Sequence, residues 1–140
     1  MIPGGVEIEH DRGLRGHSDA DALFHAAIDA VLGACGADDI GTLFPDDDDA
    51  HRGADSAALA VRVRRLVEAR GFRIVSLDTI VVAERPKLAP HRPAMRGRLA
   101  EAFGVDLDRV NVKAKTGEGV GPTGRQETIE ASAVALVTRA

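Results

Sequence analysis

Two periods of apolar placement alternate along this chain, and the switches between them mark out its elements. In Val6-Glu7-Ile8-Glu9 apolar and acidic residues alternate, which predicts a short half-buried strand after the Gly4-Gly5 turn. Ser18 or Asp19 suits an N-cap, with Asp19 and Asp21 near the positive end of the helix dipole. Leu23, Ala27, Ala30, Val31 and Ala34 then recur at helical spacing, and Gly33 and Gly36 close that helix. Asp55 or Ser56 opens a second helix, in which Leu59, Val63, Leu66 and Val67 face inward. Arg62, Arg64 and Arg65 face out from it, and Gly71 ends it. Residues 72–83 are rich in Ile and Val and read as a long strand. Pro90 starts a third helix through Ala102, with Met95, Leu99 and Ala102 as its buried stripe. Residues 110–114 and 129–137 read as two further strands.

The order strand, helix, helix, strand, helix, strand, strand predicts an α/β domain with helices layered over one face of a mixed sheet. At 140 residues the chain is near the usual size of one domain. Hydrophobic residues make up 44% of it, but with four Phe and neither Trp nor Tyr the core layers should be thin. Oligomerisation is a reasonable way to bury more surface. A net charge of −4 and the lack of stacking aromatics argue against a nucleic-acid partner. The single cysteine, Cys35, excludes an internal disulfide and a thiolate-rich zinc site, and fits a reducing compartment. No apolar run reaches membrane-spanning length, and residues 1–5 lack the charged and apolar regions of a signal peptide. The expectation is a cytoplasmic protein with no membrane partner.

Candidate chemistry concentrates in four stretches. In His17-Ser18-Asp19-Ala20-Asp21 and His25, the second histidine lies one turn after Asp21 and one turn before Asp29, so the three share a helix face. A histidine so placed either ligates a metal while a carboxylate holds its other nitrogen, or is simply satisfied by its neighbours. His17 sits where backbone N–H groups collect an anion, or is an ordinary loop histidine. Asp39-Ile40-Gly41, followed by Phe44-Pro45-Asp46, offers donors and carboxylates to a polyhydroxylated ligand; the plain alternative is a solvated turn. The run Asp46-Asp47-Asp48-Asp49 lacks the spacing of a calcium-binding hand.

Ala83-Glu84-Arg85-Pro86-Lys87-Leu88-Ala89 joins a strand to a helix. There Lys87 is placed to meet phosphate and the proline-fixed backbone to present amides to a base edge, unless it is a common connection and no more. Lys115-Thr116-Gly117-Glu118-Gly119-Val120-Gly121 has three glycines that let the chain approach a ligand closely. Lys115 brings positive charge, Thr116 a short-reach donor, and Glu118 an oxygen for a hard divalent cation already on phosphate. It is not a P-loop, and a flexible turn is the alternative.

Together these segments resemble the 2-C-methyl-D-erythritol 2,4-cyclodiphosphate synthase family of the non-mevalonate isoprenoid pathway. The resemblance runs from Gly4-Gly5-Val6 to the C-terminus, and it rests on the joint order and spacing of the motifs above with Val112-Lys113-Ala114. It implies an α/β fold with a four-stranded sheet on one side and helices on the other. It also implies a homotrimer whose sheets line a central channel, with active sites between subunits. The implied reaction is that of a phosphorus–oxygen lyase: in 4-diphosphocytidyl-2-C-methyl-D-erythritol 2-phosphate, the 2-phosphate attacks the β-phosphorus and expels CMP. By matching position, His25 would ligate a zinc-type ion and Glu118 would contact a magnesium or manganese ion on the substrate phosphates. His17 and Thr116 would stabilise the transition state. Residues 83–89 and Lys115, Thr116, Gly117 and Glu118 would form the cytidine and phosphate pocket, with Ser18 and Pro122 also in contact with substrate. Asp39, Ile40, Gly41, Phe44, Pro45, Asp46, Asp47 and Asp48 would meet the erythritol side, and Arg125 the far phosphate or the channel.

The chain also departs from the family's pattern. The family's first strand ends in an Asp-x-His pair that supplies two zinc ligands, and here the sequence begins at the following hairpin, so the site at His25 is expected to be incomplete. Glu9, His10 and Asp11 occupy that hairpin and are not expected to replace the pair. Pro122 replaces a bulky apolar residue, Lys115 and Gly117 stand in a threonine-rich stretch, and Gln126 and Thr128 replace small residues. Three readings follow: an enzyme whose N-terminus lies upstream of Met1, a short form that binds cytidine nucleotides without turnover, or a structural trimer domain.

Overall fold

A computed structural model describes residues 22–44, 56–83, 88–125 and 129–140. Helix α1, Ala22–Ala34, buries Leu23, Phe24, Ala27, Ile28, Val31 and Leu32. Its core stripe therefore uses the bulky Phe24, Ile28 and Leu32 rather than the expected Ala30 and Ala34, the latter being exposed. Gly33 stays inside the helix; the stop is at Gly36, at φ 71°, where Ala37 N–H donates to the Leu32 carbonyl at 2.9 Å. A four-residue helix that periodicity does not predict, α2, follows at Ile40–Leu43.

Helix α3, Ser56–Ala69, buries Leu59, Ala60, Val63 and Val67, while Leu66 is only partly covered. Arg64, expected to face out, is half-buried and reaches Glu68 one turn on at 2.9 Å. Strand β1, Phe72–Val82, feeds a short 3₁₀ turn, Ala89–His91, and then α4, Arg92–Phe103. The helix thus starts two residues after Pro90, the prolines at 90 and 93 lying in the first turns, where no amide donor is needed. Strand β2, Val110–Lys115, the short helix α5, Gly121–Gly124, and β3, Glu130–Arg139, complete the described chain.

The strands form a sheet in the order β2-β1-β3, with β2 parallel and β3 antiparallel to the central β1. Among the described residues the mixed sheet has three strands; the strand expected at residues 6–9 lies outside them. Strand β1 carries a bulge: Ile74 faces Val137 and Ser76 faces Leu136, leaving Val75 as the extra residue. That insertion resets the alternation, so Ile74 and Leu77 both turn inward although three positions apart.

Beyond the bulge Leu77, Thr79 and Val81 meet the helices, as do Val110 and Val112 of β2. The Thr79 hydroxyl is fully buried and donates to the Asn111 carbonyl at 2.8 Å, so the core holds a polar group without leaving it unsatisfied. The opposite face carries the Asp78–Lys113 ion pair at 3.1 Å, and leaves Val134 and Leu136 71% and 57% exposed. Helices on one face of a mixed sheet is the layering that the apolar stripes predict. No described helix is long and apolar enough to cross a membrane.

Phe24 of α1 stacks on Phe103 of α4 with ring centroids 6.1 Å apart, locking the first helix into the core. Phe24→Ala is expected to lower stability by about 3–5 kcal/mol. The check is a drop in urea midpoint at unchanged slope; an unchanged midpoint would contradict this packing.

Candidate active site

Strands β1 and β2 run parallel in a register that ends with Val82 opposite Lys115. Just beyond, the Ala83 N–H donates to the Lys115 carbonyl at 3.0 Å. Parallel pairing through the α4 crossover thereby brings two distant segments out of the sheet side by side, at the carboxyl ends of their strands. In open α/β sheets that edge is where ligands bind. Ala83 and Leu88 are buried and clamp both ends of the first segment; His91 N–H donates to the Leu88 carbonyl at 2.8 Å as the 3₁₀ turn begins at the exposed Ala89.

The second segment folds on itself. Thr116 Oγ1 accepts from Glu118 N–H at 3.2 Å, and Glu118 has φ 53°, a left-handed conformation that costs a non-glycine residue energy. Val120 N–H donates to the Gly117 carbonyl and Gly124 N–H to the Val120 carbonyl, each at 3.0 Å. The backbones of Gly119 and Gly124 approach so closely that a Cβ on Gly124 would overlap Gly119. Lys115, Thr116 and Glu118 are left exposed, with Gly117 half-buried. A cation, a hydroxyl and a carboxylate thus follow within four residues of the bond that joins Lys115 to Ala83. Pro122 is exposed in the first turn of α5, and Arg125 is exposed just after it, its N–H bound to the Gly121 carbonyl at 3.0 Å.

The candidate polyol contacts lie on α2 and its flanks. Asp39 caps this helix, its Oδ1 accepting from Thr42 N–H at 2.9 Å. That backbone bond, with the Thr42 hydroxyl second, holds the Asp39 carboxyl below its ordinary value of 3.8. Ile40 is half-buried against the core and Gly41 is exposed. Phe44 is half-buried beneath the Arg62 guanidinium, which lies 4.7 Å from its ring centre.

His25 is half-buried on α1, with its Nε2 shielded from solvent. Among the described residues no three His, Cys, Asp or Glu side chains gather into a metal-holding group, so neither His25 nor Glu118 belongs to a full ligand set there. His17, Ser18, Pro45, Asp46, Asp47, Asp48, Glu84, Arg85, Pro86 and Lys87 lie outside the described residues, as does Asp21.

Two participants are not foreseen from sequence. Asp29, expected to share a helix face with His25, accepts at its Oδ1 from Ile40 N–H at 3.0 Å; Arg62, expected to face out, covers Phe44. An Asp followed three residues later by Thr was the available sign of the cap on α2.

Comparison with known proteins gives consistent findings. The YgbB family model matches residues 1–138. The 2-C-methyl-D-erythritol 2,4-cyclodiphosphate synthase of Geotalea uraniireducens is 53% identical over 139 residues, which is 99% of this chain and 88% of that protein. The protein of the same name from Synechococcus elongatus is 52% identical over 139 residues, covering 99% and 87%. Among solved structures, the bifunctional IspDF of Campylobacter jejuni matches with a TM-score of 0.90 at 38% identity, over 100% of this chain and 38% of that longer one. The CDP complex of IspF from Plasmodium falciparum matches with a TM-score of 0.83 at 30% identity, covering 99% and 83%.

The cap at Asp39 carries a pH signature. Because the folded carboxyl titrates below its free value, its contribution is complete above that free value and is lost as pH falls through the folded one. The Thr42 amide resonance should therefore titrate with an inflection below pH 3.8. An inflection at or above that value would contradict the cap.

Proposed function

The chain belongs to the YgbB family of 2-C-methyl-D-erythritol 2,4-cyclodiphosphate synthases, and from that premise we propose that it closes the cyclic diphosphate of 4-diphosphocytidyl-2-C-methyl-D-erythritol 2-phosphate as a phosphorus–oxygen lyase. An oxygen of the 2-phosphate forms a bond to the β-phosphorus. The bond from that phosphorus to the oxygen bridging to the α-phosphate breaks, and CMP leaves carrying that oxygen. Both reacting groups belong to one substrate, so holding them in line is the main task and stabilising the developing charge the second.

The observation that supports this reading is the bond between Ala83 and Lys115, which joins the starts of the two segments read here as base-binding and phosphate-binding. On it, residues 83–89 hold the cytosine edge with backbone groups, and Lys115 and Thr116 meet the diphosphate. His17 and Thr116 stabilise the charge of the transition state, while Ser18 and Pro122 line the pocket. Asp39, Ile40, Gly41 and residues 44–48 orient the methylerythritol, and Arg125 faces the far phosphate. The CDP bound in the Plasmodium falciparum relative supports a nucleotide ligand of this class.

Glu118 fits a hard divalent cation: it is exposed, its backbone N–H held by Thr116 Oγ1, and such an ion takes most of its shell from phosphate oxygens and water. When bound, magnesium or manganese there supplies charge neutralisation on the diphosphate. For a zinc-type ion the described residues offer the His25 imidazole, against the three protein ligands a catalytic site takes. The outer sheet face, with Val134 and Leu136 exposed, supports a homotrimer whose sheets face one another.

The test is CMP release from the substrate with magnesium present. Glu118→Gln is expected to lower kcat about a hundredfold while metal-free CDP affinity is kept. CDP binding without CMP release would make the chain a nucleotide-binding module, and neither binding nor release would make it a structural domain; both outcomes overturn the proposal.

A further inference from the structure

Helix α1 carries His25 and Asp29 one turn apart, and the Asp29 carboxylate accepts from a backbone amide, that of Ile40, at 3.0 Å. Ile40 opens α2, a helix of four residues. One turn is too short to stand alone, because fixing its dihedrals costs more than its first hydrogen bond returns. Within the turn, Asp39 satisfies the Thr42 amide by its side chain and the Leu43 amide by its carbonyl, and Ile40 satisfies Phe44. The Ile40 amide instead finds its acceptor on α1, and a bond to a carboxylate is of the stronger, charge-assisted kind. Helix α1 is itself held rigidly, with its apolar side wholly in the core. Asp29 is exposed, so its removal opens no cavity.

We propose that Asp29 is a positioning residue: through Ile40 it holds the Asp39-Ile40-Gly41 turn in fixed relation to α1, and so sets affinity for the methylerythritol half of the substrate alone. The inference rests on the functional reading above, in which this turn meets the methylerythritol. Hydroxyl recognition demands placement within a fraction of an ångström, which a free one-turn helix does not provide.

The experiment measures affinities of two probes, without added divalent metal so that neither turns over, for the wild type, Asp29→Ala and Asp29→Asn. CDP reports the nucleotide half; 4-diphosphocytidyl-2-C-methyl-D-erythritol, which lacks the attacking 2-phosphate, reports both halves. Wild type should bind the second probe more tightly than the first. Asp29→Ala should lose about tenfold on the second probe, as expected for one deleted charge-assisted bond, with CDP affinity and melting temperature unchanged. Asp29→Asn, whose amide oxygen still accepts from Ile40, should recover most of that loss.

Equal weakening toward both probes, no weakening toward either, or an Asn variant as weak as Ala would overturn the proposal. Wild-type protein that binds both probes but releases no CMP from the true substrate would sink the catalytic reading, leaving the difference between probes to judge Asp29. Wild-type protein that binds both equally, or neither, refutes the role assigned to the turn and the proposal with it.

Discussion

The nucleotide seat proposed for this protein depends on the parallel pairing of β1 with β2. Parallel neighbours require a crossover, supplied here by α4, and they deliver both chain ends to one edge of the sheet. The last rung, from the Ala83 amide to the Lys115 carbonyl, is also the first contact between two segments of different character. One carries prolines and backbone amides; the other carries a cation, a hydroxyl and a carboxylate. An antiparallel arrangement of the same two strands would send these segments to opposite ends, and no ligand of nucleotide size would reach both.

A second constraint comes from α1. Its inner face, led by Phe24 against Phe103, fixes the helix to the core, and its outer positions then act as a rigid ruler. His25 and Asp29 are spaced along it by one turn, so the placement of the imidazole and of the α2 turn is set by the same packed element. Core burial and site geometry are in this way one problem: a helix that rocked in its groove would displace both.

The repeating stripes were legible in the sequence because burial imposes its period on them. Helices α3 and α4 and the three described strands lie within two or three residues of where the pattern puts them. The misses share a cause, which is that tertiary contacts decide them. The α2 turn exists through Asp39 and a tether eleven positions away, the bulge at Val75 inverts the alternation midway along β1, and the core stripe of α1 follows side-chain volume rather than spacing alone. For the site, residue types and their order pointed to phosphate, base and polyol chemistry. Periodicity had no means of showing that Ala83 meets Lys115, since register is a property of the folded sheet. Arg62 illustrates the same limit: its place on the outer face was read correctly, yet its stacking on Phe44 depends on where the preceding turn comes to rest.

The most direct test of the account is amide chemical-shift mapping during a titration with CDP and magnesium. Perturbations centred on Ala83, Leu88 and Ala89 together with Lys115, Thr116, Gly117 and Glu118 are the predicted result, with the far end of the sheet around Ser76 and Asn111 left still. Perturbations confined to one of the two segments, or gathered at that far end, would contradict a nucleotide seat built by the β1–β2 pairing.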